Sequence, residues 1–177
     1  LCMRVFLCRF ASQHLTGFWP IILTEMVRIL AQAKVDLPAD KSDRLQLVFS
    51  VVKLADFLIT LQTDDFQIHQ WLLITDTPDA TNPASSYMAD SLLDCLAKFV
   101  SECQRELVFD ANDSLERAQQ RRPLLQMSSV ATISTLQPFF ATASRAFYQC
   151  DFHATLDWDN INACLLHDLF EPIHTNA

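Results

Sequence analysis

The sequence predicts an all-α fold, and three observations carry that prediction. Glycine occurs once in 177 residues, where an average chain is about 7% glycine and would hold roughly a dozen. Tight turns between strands draw on glycine for positive φ, so Gly17 alone could hardly serve a sheet protein. Half of the residues are apolar and only 19% are charged, a composition that suits helices covered on more than one side. Apolar residues also recur at three- and four-residue intervals between proline-bearing, polar corners. The expected architecture is a layered helical array or bundle of HEAT/armadillo-like helix pairs.

A chain of 177 residues is large enough for one core and too small for two full domains. We expect a single helical domain over 1–177, excised from a much longer chain. Its opening, Leu1-Cys2-Met3-Arg4-Val5-Phe6-Leu7-Cys8, reads as the inside of an apolar helix, with no initiator or signal region before it.

Along the chain, Trp19-Pro20 opens a helix over 18–33, because proline is tolerated where the first N–H would lack a partner. Ile22, Met26, Ile29 and Leu30 form its apolar side, opposite Thr24, Glu25, Arg28 and Gln32. Pro38 breaks the pattern, and Ser42 or Asp40 can cap a second long helix. That helix, 43–61, carries two apolar rows: Leu45, Val48, Val52, Ala55 and Ile59, and Leu47, Val51, Leu54, Leu58 and Leu61. Gln46, Ser50, Lys53, Asp56 and Thr60 are left as its wet edge, so it should lie sandwiched between neighbours.

Thr63-Asp64-Asp65 starts a shorter helix with Phe66, Ile68, Trp71, Leu72 and Ile74, ending near Asp76. An internal loop at about 76–86 holds two prolines, Pro78 and Pro83. An amphipathic helix then runs to about 109, with Leu92, Leu93, Leu96, Phe99, Val100, Cys103 and Leu107 on one side. Asn112 or Asp113 caps a short helix through Gln120, stopped by Pro123. Leu136-Gln137-Pro138-Phe139-Phe140 repeats the proline-led entry, continued by Ala143, Phe147 and Cys150. The two such prolines stand 118 positions apart (138 minus 20), room for about three helix-pair units. A last helix, 159–170, carries Ile161, Cys164, Leu165, Leu169 and Phe170 and is stopped by Pro172.

Charge and chemistry narrow the function. Thirteen basic against 21 acidic residues give a net charge of −8, which argues against nucleic acid as the main ligand. The six cysteines form no C-x-x-C pair and sit at core spacing, as expected of a reducing compartment. No apolar run reaches the roughly 18 residues of a membrane span. His153 with Asp157, and His167 with Asp168, approach one another without the three or four convergent ligands that a metal needs. Cys150, Asp151 and His153 suggest a thiol and a base, but adjacent positions on a helix point in different directions. One glycine cannot build a phosphate-cradling loop. The chain therefore reads as a non-enzyme with no cofactor. Of Trp19, Trp71 and Trp158, two lie inside strongly apolar segments, so core packing is expected over an exposed ligand platform. Arg117, Arg121 and Arg122 form the one compact basic cluster, a candidate patch for an anionic lipid headgroup or an acidic partner, weighed against a solvated helix face paired with nearby acids.

Two stretches are specific in wording: Gln13-His14-Leu15-Thr16-Gly17-Phe18-Trp19-Pro20-Ile21-Ile22-Leu23-Thr24-Glu25-Met26-Val27-Arg28, and Asp65-Phe66-Gln67-Ile68-His69-Gln70-Trp71. Both resemble the C-terminal region of the Dopey family of Golgi and endosome trafficking proteins, and Leu136-Gln137-Pro138-Phe139 is similar to a third point there. The resemblance implies a helical, non-catalytic scaffold module of a cytoplasmic protein, peripheral on Golgi and endosomal membranes and acting in endosome-to-Golgi retrieval. It also implies a large partner related to Arf exchange factors, with links to a flippase, kinesin light chain and phosphatidylinositol 4-phosphate. The alternative is a purely structural C-terminal cap of a helical solenoid.

Overall fold

A computed structural model describes residues 1–10, 12–74, 91–103, 121–125, 130–149 and 153–170. Among the described residues there is no strand, and the chain is an array of α-helices linked by short 3₁₀ turns. We number them α1 (Cys2–Arg9), α2 (Trp19–Val35), α3 (Asp43–Leu61), α4 (Asp64–His69), α5 (Leu92–Cys103), α6 (Gln137–Gln149) and α7 (Trp158–Phe170). The expected loop at 76–86, the helix of 112–120, the extension of α5 to 109 and the stop at Pro172 lie outside the described residues, as do the side chains of Trp71, Phe147 and Cys150.

Helix starts reflect their local chemistry. Trp19 and Pro20 open α2, with Trp19 only 1% exposed. Ser42 caps α3 by accepting the Leu45 N–H at 3.1 Å, and Thr63 caps α4 by accepting that of Phe66. Ser91 and Asp94 bond reciprocally at the start of α5, each side chain reaching the other's N–H. A 3₁₀ turn, Ile133–Leu136, leads into α6. At the far end of α2, Arg44 pairs with Asp36 at 2.5 Å and donates to the Gln32 carbonyl, so α3 holds the end of its neighbour.

Scarcity of glycine has a visible consequence. Lys41, Gln62 and Arg121 take positive φ of 57°, 48° and 51°, the left-handed conformation that glycine normally supplies. Gln62 does so at the end of α3, where its N–H bonds the Leu58 carbonyl at 2.9 Å. Gly17 itself has no positive φ.

The core forms around α3. α2 packs on α3 and α5, α5 and α6 form the most extensive helix contact, and α1 and α6 each touch α3. Leu23, Leu30, Leu45, Val52, Ala55, Leu58, Phe66, Leu93, Leu96, Phe140 and Ala143 are fully enclosed. Each buried leucine-sized side chain contributes about 1.5–3 kcal/mol by leaving water. From Val51 to the end of α3, every residue except Leu54 is buried. Two expectations fail here. Leu47, placed in an apolar row, is 48% exposed. The supposed wet edge is wet only in the first half: Lys53, Asp56 and Thr60 are 6%, 1% and 5% exposed, because polar groups from distant segments cover them.

Candidate functional site

Lys53, Asp56 and Thr60 lie on one stripe of α3, three and four residues apart, facing residues 121–125 and α7. Burying them requires partners, since an unpaired buried charge is far more costly than a paired one. The Asp56 carboxylate accepts two backbone N–H groups, Leu124 at 2.9 Å on Oδ1 and Leu125 at 2.8 Å on Oδ2. The Thr60 hydroxyl donates to the Asp56 carbonyl at 2.9 Å.

Beside them, Asp168 of α7 bridges two cations. Its Oδ2 accepts from the Arg4 guanidinium of α1 at 2.5 Å and its Oδ1 from the Lys53 ammonium. All three side chains are 7% exposed. Each cation also sits over an aromatic ring: Arg4 lies 5.2 Å from the Phe57 centroid and Lys53 5.1 Å from that of Phe49. A cleft of about 230 Å³ opens along this seam, between Lys53 and Leu125 on one side and Asn160, Ala163, Cys164 and Asp168 on the other.

Burial governs the protonation of the cluster. It pushes the Asp56 carboxyl up to about 7, against the downward pull of the Leu125 and Leu124 N–H groups and of Lys53 and Arg4. Burial likewise lowers Lys53, with Asp168 opposing through its hydrogen bond and its charge. Cys164 is raised by burial and then by the charges of Asp56 and Asp168, so its thiol stays protonated and a poor nucleophile. His167, one turn after Cys164 on α7, also lines the cleft, and the Asp56, Asp168, Lys53 and Arg4 side chains bond to one another or to backbone N–H groups.

The arginine cluster is placed in part. Arg117 lies outside the described residues. Arg121 bonds three backbone carbonyls: Thr60 at 3.2 Å and Leu61 at 3.1 Å, which end α3, and Ala154 at 3.1 Å. Arg122 pairs with Asp157 at 2.6 Å, while the other Asp157 oxygen accepts the Asn160 N–H at the start of α7. That backbone bond, opposed by desolvation and aided by the hydrogen bond and charge of Arg122, holds the Asp157 carboxyl below its usual range. Asp157 therefore serves Arg122 and the helix start, and Asp168 serves Arg4 and Lys53. Among the described residues no three His, Cys, Asp or Glu side chains converge on a metal-sized site. Cys150 and Asp151 lie outside the described residues.

Sequence reasoning missed Arg4, Lys53, Asp56 and Asp168 as one set. A signal was present: Arg4 interrupts the apolar run between Leu1-Cys2-Met3 and Val5-Phe6-Leu7-Cys8, and Lys53 and Asp56 interrupt the apolar rows of α3, where a charge needs a partner.

Other features face outward. Phe6 of α1 and Phe10 just after it, in edge contact at 5.1 Å, are 45% and 52% exposed. Leu166, Leu169 and Phe170 of α7 are 54%, 59% and 75% exposed. Among the described residues no helix is long and apolar enough to cross a membrane.

Comparison with known proteins gives one consistent match. The family model described as DOP1 C-terminal matches residues 1–153. Protein DOP1B of Xenopus laevis is 24% identical across 83% of this chain, and Protein DOP1B of Mus musculus 28% identical across 83%. Protein pad-1 of Caenorhabditis briggsae is 29% identical across 80%. The chain spans only 8%, 8% and 6% of those proteins. No solved structure matches it.

Proposed function

Since the chain belongs to the DOP1 family, through the C-terminal domain matched over residues 1–153, we propose that it is a non-catalytic interaction module of a peripheral membrane trafficking protein. The parent would act in endosome-to-Golgi retrieval, on the cytoplasmic face of Golgi and endosomal membranes. Its main partner would be a large scaffold related to Arf exchange factors. A flippase and kinesin light chain would be further contacts.

The observation that carries this reading is the division of labour between inside and outside. The buried ionisable groups are engaged in holding α1, α3, residues 121–125 and α7 together. Large apolar side chains are instead offered to the exterior by α1 and α7. On this reading they supply the apolar centre of a protein contact.

Co-elution of the purified chain with the purified Arf-exchange-factor-related scaffold tests the proposal. A stable complex is expected, and Phe6→Glu with Phe170→Glu should weaken it at least tenfold while the far-UV helical signal is kept. Separate elution of the two proteins at micromolar concentrations would rule the partner out.

Phosphatidylinositol 4-phosphate binding belongs to the proposal in a narrower form. Arg121 faces three carbonyls, so of the two described arginines only Arg122, 41% exposed and paired with Asp157, is left to meet a headgroup. Flotation with vesicles containing this lipid should recover the unaltered chain better than Arg117→Glu/Arg122→Glu. Equal recovery removes these arginines from the account.

A further inference from the structure

α7 is held unlike the other long helices. Of its 13 residues only Ile161 and Leu165 are buried apolar ones, and its other large apolar side chains, Trp158, Leu166, Leu169 and Phe170, are exposed. The cleft of about 230 Å³ runs along its inner side, so this seam is incompletely packed. Its tie to α1 and α3 is the Asp168 carboxylate on Arg4 and Lys53. Arg4 and Lys53 lie within the residues matched by the family model, whereas Asp168 lies beyond them.

We propose that Arg4 and Lys53 form a carboxylate socket which α7 fills from within the chain, and that an acidic amphipathic helix of a partner protein takes the same seat by displacing it. Two physical features favour exchange over simple opening. Lifting α7 alone would leave two cations beside Phe49 and Phe57 with Asp56 as the remaining carboxylate of the cluster, itself engaged by two N–H groups. An incoming helix with a carboxylate one turn after a leucine restores the ion pairs in the same geometry, as Leu165 and Asp168 do now. The outer side of α7, already apolar, can be held by the same partner once the helix is released. The inference is independent of the trafficking reading, because the partner is defined by its chemistry alone.

A fluorescent peptide of residues 158–170 tests the socket by anisotropy, with the full chain under reducing conditions. Asp168→Asn in the chain weakens its own α7, and the peptide should then bind at least tenfold more tightly than to the unaltered chain. A peptide carrying Asp168→Asn should bind that variant chain at least tenfold more weakly than the native peptide does. Equal binding of the two peptides, or no gain in the variant chain, overturns the proposal. The unaltered chain gives a second reading that needs no variant: chymotrypsin under native conditions should cut within α7 at least tenfold faster than within α3, since local opening exposes only the former. Cleavage of both helices at one common rate means that α7 leaves only on global unfolding, and the proposal fails.

Discussion

Oδ2 of Asp56 and the backbone N–H of Leu125 meet at 2.8 Å across 69 positions of sequence, inside a core where Asp56 is 1% exposed. The folded chain holds this carboxyl near 7, up from the ordinary 3.8, because burial disfavours its charged form. A raised pKa means that the native state binds the proton more tightly than the unfolded state. The resulting stability is fully present below about pH 4 and is lost as pH rises through about 7. Asp157 works in the opposite sense, since its lowered pKa gives stability that is lost as pH falls. Comparison with Asp56→Asn isolates the first effect. Between about pH 4.5 and 7.5 the unaltered chain should lose on the order of a few kcal/mol relative to the variant in urea unfolding. Parallel profiles for the two proteins would show that Asp56 titrates normally.

Arg121 closes the end of α3 from a strained position. Its φ of 51° is unfavourable for a non-glycine residue, yet its guanidinium reaches the carbonyls of Thr60, Leu61 and Ala154. Arg121→Ala should cost about 2–3 kcal/mol, as expected when charge-assisted bonds to buried carbonyls are removed. Arg121→Lys should recover less than half of that loss, because one ammonium cannot span carbonyls on two segments. Denaturant midpoints read both numbers, and a fully stable lysine variant would contradict the forked geometry.

Glycine placement makes a paired prediction. A Cβ added at Gly17 meets nothing within 4 Å, and the residue has no positive φ. Gly17→Ala should therefore be neutral or stabilise by about 0.4–1 kcal/mol through the unfolded state. Lys41 is exposed with φ 57°, so Lys41→Gly should also gain about 1 kcal/mol or less by relieving the left-handed backbone. Thermal unfolding of the two variants should show midpoints at or above that of the parent. A lowered midpoint for Gly17→Ala would reveal a role for that glycine beyond its local backbone.

Trp19 is 1% exposed, and its indole N–H has no acceptor among the described residues. Phenylalanine removes this unpaired donor along with some volume, so Trp19→Phe should cost only about 1 kcal/mol against about 3–5 for Trp19→Ala. Similar losses for both substitutions would mean that the N–H does find a partner in solution.

Local chemistry was legible in the sequence where it acts locally. The two apolar rows set α3 at Asp43–Leu61, Ser42 and Thr63 announced their helices, and Trp19-Pro20 marked the entry to α2. The site was not legible, because periodicity along one helix cannot say what the polar stripe faces. Lys53, Asp56 and Thr60 have the spacing of a solvated edge, and only the arrival of Leu124, Leu125 and Asp168, 68, 69 and 115 positions away from their partners, makes that edge dry. The arginine cluster shows the same limit. Spacing placed Arg117 and Arg121 on one helical face, whereas the structure turns Arg121 inward to carbonyls and leaves Arg122 with Asp157.

The central claim is that the chain is built around one enclosed helix, charged stripe included. Native-state hydrogen exchange tests it most directly, residue by residue along α3. The account predicts that amides from Val51 to Leu61, including those of Lys53, Asp56 and Thr60, exchange last and only with global unfolding. Fast, denaturant-independent exchange at Lys53, Asp56 and Thr60 would show a solvated edge and contradict it.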